Sequence, residues 1–383
     1  MLINSFRSGD FEISVFNSLE KKVVDKWDQM NSTTLKSSYL LFLEESKPED
    51  LFFRYVIIDK VFDNEKKIVA IIYFQHLKFT INNIHLGNST ILNLAARIIL
   101  FVRPFHFLIC GNLFAVNFPA ISFNENVISR QQIIDILFLI EKLEKPDVII
   151  LKDLDEFFTS ESLIEYGWKP YPEDLTMALD IKQEWKTLED YKHSLTKKYR
   201  KRTEKIIESG RQIIKNEFSA YDIKKNEKQI MDLFYQVASR QVVRMGLISP
   251  DYFYDFKNIF PEKFNFMGYY YQNKLIAFTT YVEHGDILEI HYIGIDYKFN
   301  KSLSIYFNIL IDGIERAIHR KKIQLELGRT AREAKANVGA IPVYFNDYFK
   351  IKGKLANSLA ERLIKYFQNE IGEQWTQRHP FCK

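Results

Sequence analysis

The chain has 383 residues, 46% hydrophobic and 27% charged, a length suited to two domains and a balance that excludes disordered, collagen-like and low-complexity classes. Aromatic residues are abundant, with 32 Phe and 21 Tyr against 14 Gly, so a large ring-rich core is expected and some rings are expected to line a cleft or an interface. The formal charge is +4, but the segment from Thr187 to Asn216 holds nine Lys/Arg and four Asp/Glu. The rest of the chain is therefore close to neutral, and the basic segment points to one localised anionic partner.

Cys110 and Cys382 are the only cysteines. They support neither a disulfide framework nor a thiolate metal site, and a reducing, cytoplasmic compartment is expected. The opening residues lack a continuous apolar signal core. Pro104 to Asn124 carries no Asp, Glu, Lys or Arg, but Pro104, Gly111 and Pro119 interrupt it. A spanning helix could not hold its backbone bonds through those breaks, so the stretch reads as buried strand and loop. A monotopic membrane contact is the less favoured alternative.

In chain order, Val15 to Met30 has helical periodicity, with Val23, Val24 and Trp27 on one face. Leu51–Ile58, Ile68–Phe79 and His106–Val116 read as strands. Ile128–Leu143 returns to helix, which Pro146 stops before a short buried strand, Asp147–Leu151. A short helix, Ser160–Tyr166, and a strand, Leu175–Ile181, are expected to close the first half. Thr187-Leu-Glu-Asp190 has the form of a capping box and opens one long basic helix to Gly210. Lys225–Met245 is expected as helix. Phe264–Tyr271 and Leu275–Val282 flank Gln272-Asn273-Lys274 as a β-hairpin. Strand Ile287–Ile295, helix Leu303–Arg320, strand Ile323–Leu327, helix Ala331–Ala336, strand Val343–Phe349 and helix Leu359–Phe367 complete the pattern. The order helix, short strand, small helix, strand occurs twice, over Ile128–Ile181 and Leu303–Phe349.

From Lys225 to Phe349 the order of elements resembles an N-acetyltransferase-type (GNAT) domain. Leu327-Gly328-Arg329-Thr330-Ala331-Arg332-Glu333-Ala334-Lys335, followed by Val338-Gly339-Ala340, resembles the Gly…Lys…Gly signature of acyltransferases grouped with the Fem-type aminoacyl transferases. Trp185, Leu188-Glu189-Asp190-Tyr191, Leu195 and Lys198-Tyr199-Arg200-Lys201-Arg202 resemble the start of the second domain in that group, and Cys110-Gly111-Asn112-Leu113-Phe114 adds to the likeness. The resemblance implies an α/β fold (α+β, mixed sheets) of two tandem GNAT-like domains joined by a basic helix, divided as residues 1–182, 183–216 and 217–383. It also implies an N-acyltransferase that moves an acyl group from a thioester, acyl-CoA or an acyl carrier protein, to a small-molecule amine. The alternatives are an aminoacyl-tRNA-dependent transferase forming a peptide bond and a non-catalytic binding protein.

In GNAT enzymes that use acyl-CoA, a glycine-containing loop after the long strand binds pyrophosphate together with the next helix N-terminus. Ser302 and Ser304 stand where those glycines would be, and each Cβ restricts close backbone approach. Lys298, Asn300, Lys301, Ser302 and Ser304 are the candidate cofactor-binding residues. Amine acylation needs a base and an oxyanion donor. Alternation puts Glu289 and His291 on one face of the long strand, and they are the candidate catalytic pair. Arg329, Lys335, Glu333 and Asp296 are the candidate substrate-binding residues, with a helix cap as the structural alternative for Asp296 and a surface ion-pair set for the others. Lys197, Lys198, Arg200, Lys201, Arg202 and Lys205 form a basic helix surface for tRNA, an acyl carrier protein or anionic lipid, or simply a solvated face. No His/Cys/Asp/Glu grouping has metal-ligand spacing, so no metal is expected.

Overall fold

The computed structural model describes residues 1–30, 36–46, 48–62, 65–84, 100–116, 118–154, 158, 160–171, 174–241, 243–353 and 376–382. Helix Leu359–Phe367 of the sequence reading lies outside them. The described residues form two compact units: one drawn from Met1–Asp174, Val242–Ser249 and Phe345–Ile371, the other from Leu175–Gln241, Pro250–Tyr344 and Gly372–Lys383.

The first unit opens with a hairpin that periodicity did not signal, β1 (Leu2–Ser8) and β2 (Phe11–Phe16), turned at Gly9 with φ 59°. The helix expected from Val15 begins only at Lys21 and ends at Gln29, because Phe11, Ile13 and Val15 alternate into the core as a strand. Strands β3 (Leu51–Phe62) and β4 (Glu65–Phe79) pair antiparallel along most of their length. They are rich in Val, Ile and aromatic residues, and their central residues are buried on both faces. Next come β5 (Phe105–Cys110), β6 (Ile121–Phe123), β7 (Val148–Leu154) and β8 (Lys169–Tyr171). Helix Arg130–Glu144 packs Ile133, Ile136, Leu137 and Ile140 inward and is opened by a Ser129–Gln132 capping box.

The second unit contains β9 (Leu175–Asp180), β10 (Ile214–Glu217), β11 (Phe264–Tyr271), β12 (Lys274–His284), β13 (Ile287–Ile295), β14 (Gln324–Glu326) and β15 (Ile341–Tyr344). The next strand, β16 (Asn346–Ile351), belongs to the first unit, whose sheet runs β1-β2-β3-β4-β5-β7-β16-β8 with β6 beside β4. The second sheet runs β10-β11-β12-β13-β14-β9-β15.

Two expectations change here. Leu175–Asp180 does not close the first half; it lies between β14 and β15 of the second sheet, antiparallel to both. An interior place buries both of its faces, as the burial of Leu175, Met177 and Leu179 and of Thr176 and Ala178 records. Val343–Phe349 is also not one strand: it divides at Phe345, and the halves serve different sheets.

The basic segment is two helices, Leu188–Ser194 and Lys197–Ser209. Between them Leu195 is extended and buried, bridged to Phe381. The expected helix Lys225–Met245 is shorter, Glu227–Ala238, and a separate short helix, Ala220–Lys225 with a Ser219 cap, precedes it. At the β11–β12 turn Gln272 and Asn273 both have positive φ, 49° and 60°, the conformation of a type I′ hairpin turn. No helix among the described residues is long and apolar enough to cross a membrane.

Candidate active site

Strand β13 organises the site. It pairs in parallel with β14 only at Ile287–Gln324, Leu288–Leu325 and Glu289–Glu326. From Ile290 to Ile295 that edge has no ladder partner among the described residues, so the two strands diverge immediately after the two glutamates. On the other edge, β13 spends three steps from Ile290 to Ile293 while β12 spends two from Tyr281 to Thr279, which is a β-bulge. There the Tyr292 N–H donates to Thr280 Oγ1 at 2.9 Å. The extra residue sends neighbouring side chains to the same face. His291 packs against Tyr252 and Phe256, and Tyr292 against Phe234 and Phe253.

Glu289 and His291 are in contact, with Glu289 Oε1 3.2 Å from His291 Nδ1. The second carboxylate oxygen is 3.1 Å from His284 Nε2. His291 Nε2 is 3.0 Å from the Tyr252 hydroxyl. A carboxylate only accepts, so the network assigns the proton to His291 Nδ1 and leaves Nε2 to accept from Tyr252. The four groups form one relay, Tyr252–His291–Glu289–His284. Its inner members are buried, whereas the His284 side chain is 41% exposed.

The two facing carboxyls are tuned in opposite directions. Burial pushes Glu289 up, but hydrogen bonds and charge from His284 and His291 outweigh it and hold the group at about 2. Burial raises Glu326, and the Glu289 charge adds to that rise against the Thr176 and Gly328 hydrogen bonds. Thr176 Oγ1 and the Gly328 N–H, the latter at 2.7 Å, both donate to Glu326 Oε1. Neighbouring carboxyls with divergent pKa values are a common arrangement for acid–base work.

The remaining candidates are spread more widely. Lys335 is buried, with Nζ 3.0 Å from the Gly328 carbonyl, and its charge favours ionised Glu326. Arg329 is half-buried beside Gly328, and its carbonyl accepts from Arg332 Nε. Glu333 points to the C-terminal segment, where it accepts from the Arg378 guanidinium and from the Thr376 N–H. Asp296 caps helix Tyr297–Leu303 through the Lys298 N–H and pairs with Lys274 at 2.8 Å.

The stretch compared with a phosphate-binding loop is itself a helix, Tyr297–Leu303. Asn300 Oδ1 accepts from the Tyr306 N–H in the first turn of the next helix, Ile305–His319. Ser302 Oγ bonds back to the Phe299 carbonyl. Ser304 has φ 48° and ψ 40°, a left-handed conformation that favours glycine. Lys298 and Lys301 are exposed.

On helix Lys197–Ser209 the six basic candidates divide by use. Arg200 donates to the carbonyls of Lys192, His193 and Leu195, closing the end of the preceding helix. Arg202 bonds Asn337 and covers the Phe307 ring. Lys197, Lys198, Lys201 and Lys205 remain as an exposed stripe.

His284 and Tyr252 were not singled out from sequence. A signal for His284 exists: in a tight β12–β13 hairpin it pairs with Ile287 and so lies diagonal to Glu289 on one face. Nothing local marks Tyr252, which arrives from helix Tyr252–Ile259.

Among solved structures, a tandem GNAT protein from the clavulanic acid biosynthesis pathway superposes on 90% of this chain and 99% of its own, with a TM-score of 0.53 at 7% identity. The chain has a tandem GNAT fold. FemX covers 86% of this chain and 94% of its own (TM-score 0.49, 9% identity). A GCN5-related N-acetyltransferase from Sphaerobacter thermophilus covers 78% and 80% (TM-score 0.38, 8% identity). No protein-family model matches the sequence, and no curated protein matches it. The tandem GNAT fold thus stands on three-dimensional likeness alone.

Proposed function

We propose that the second unit is an N-acyltransferase that moves an acyl group from a thioester, acyl-CoA or an acyl carrier protein, to a primary amine. The observation that carries this reading is the parting of β13 and β14 directly after Glu289 and Glu326. It places an unpaired backbone edge beside a buried proton relay, and acyl transfer needs both.

In this reading the amine attacks the thioester carbonyl directly. As the C–N bond forms, an amine proton passes to the relay, whose His284 end is the one open to solvent. Glu289 stabilises the resulting imidazolium. Backbone N–H groups of the free β13 edge hold the oxyanion until the C–S bond breaks, and the relay returns the proton to the departing thiolate. Cys110 belongs to the first unit and is buried, so it is not the acceptor of a covalent intermediate.

A second donor, aminoacyl-tRNA, is favoured by the exposed stripe Lys197, Lys198, Lys201 and Lys205 and by the helical, serine-bearing segment where a glycine loop would serve CoA. The same stripe would serve an acidic carrier protein.

The test is thiol release from acetyl-CoA in the presence of a panel of primary amines. The wild-type chain is expected to turn over. His291→Ala is expected to lose about a hundredfold or more in kcat, the scale of general acid–base catalysis, with its melting cooperativity kept. Undiminished turnover in His291→Ala would remove the relay from the mechanism.

A further inference from the structure

Glu289 and Glu326 stand side by side in the β13–β14 register, so both side chains lie on the relay face of the sheet. Both Glu289 oxygens are engaged, by His291 and His284. Both His291 nitrogens are engaged as well, by Glu289 and Tyr252. Glu326 differs. Its Oε1 accepts from Thr176 Oγ1 and from the Gly328 N–H, whereas its Oε2 has no hydrogen-bond partner among the described residues. The residue is 8% exposed and stands at the point where β13 and β14 part.

The two donors hold the carboxyl by one oxygen and so present the other at a set position. Burial and the Glu289 charge raise the pKa of this carboxyl, which makes its ionised form the stronger base, and the Lys335 charge favours that ionised form. An ammonium arriving at Oε2 adds a charge-assisted hydrogen bond and breaks none.

Proton counting gives that oxygen a task, and here the inference rests on the acyl-transfer reading. An amine about as basic as a lysine side chain, with a pKa of roughly 10.4, reaches the site as an ammonium. It must lose one proton before its lone pair can attack and a second as the C–N bond forms. The relay takes the second and returns it to the departing thiolate, so it absorbs none over a turnover. The first proton needs a separate base.

We propose that Glu326 Oε2 receives the ammonium group of the acceptor and takes the first of its protons. The neutral amine then attacks the thioester, and the Glu326 proton leaves to water, one per turnover.

The test is thiol release from acetyl-CoA by the full chain at pH 7, with alkylamines, butylamine and lysine among them, set against methoxyamine. Methoxyamine is already neutral at that pH and needs no first base. In Glu326→Gln, which keeps an acceptor for Thr176 and Gly328, the ratio of methoxyamine to alkylamine turnover is expected to rise about a hundredfold, the scale of general base catalysis. His291→Ala is expected to slow both amines and leave the ratio as in the wild type. Thr176→Val, which removes one of the two donors to Oε1, is expected to raise the ratio by a smaller factor, and it decides the matter should Glu326→Gln fail to melt cooperatively. An unchanged ratio in the Glu326 and Thr176 variants, with the wild-type chain active, would overturn this assignment alone. No turnover of any amine by the wild-type chain would overturn the acyl-transfer reading and this assignment with it.

Discussion

His291 has both ring nitrogens occupied in an aromatic cage, so its chemistry runs through its neighbours. Glu289 is the more informative reporter. Its pKa in the folded chain is depressed to about 2, so it adds stability above the ordinary carboxylate range and that stability is lost as pH falls from about 4.5 towards 2. Glu289→Gln is expected to flatten this acid limb of the melting temperature against pH; an unchanged limb would show that the histidine contacts do not hold the carboxylate. Asp347, in the first unit, has the opposite sign. Burial, with the charges of Asp174 and Asp153 nearby, pushes it up to about 7. Its contribution is complete below the unfolded value and is lost as pH rises from about 4 through 7. Asp347→Asn still accepts the Asp153 N–H and should be the more stable protein near neutrality; equal pH profiles for the two chains would contradict this. The three carboxylates meet from distant parts of the chain, so no spacing rule could have grouped them.

At the scale of elements, β13 depends on how closely helix Glu227–Ala238 approaches it. A Cβ on Gly294 would fall within the Phe278 ring and 2.9 Å from Leu233 Cβ. Gly294→Ala is therefore expected to destabilise by about 1–3 kcal/mol, the usual cost of overpacking, read as a lower urea midpoint; a neutral result would mean that the helix can move outward. Strand β13 itself was legible in the sequence from Ile287 to Ile295, because β-branched and aromatic residues fill it between the Gly285 turn and the Asp296 cap. Alternation also put Glu289 and His291 on one face. The bulge at His291–Tyr292 was not legible, because a one-residue insertion in register depends on the partner strand. The split basic helix escaped for a similar reason: what stops it at Leu195 is Phe381, nearly two hundred residues away.

At the scale of the whole chain, the order of elements and the tandem GNAT fold could be read from the sequence, but the ownership of strands could not. A short apolar strand such as Leu175–Asp180 carries no mark of which sheet will take it. Its place beside β14 and β15 means that residues 183–383 lack an interior strand of the second sheet, along with buried Leu175, Met177 and Leu179. That fragment is expected to unfold without cooperativity; a sharp transition near that of the full chain would contradict the topology. The central claim is that the second unit takes its acyl group from a thioester, and the most direct measurement is a titration of the full chain with acetyl-CoA and with tRNA at low and moderate salt. Acetyl-CoA binding that changes little with salt is the result expected. Binding of tRNA with a steep salt slope, and none of acetyl-CoA, would contradict the thioester reading and assign the lysine stripe to the donor.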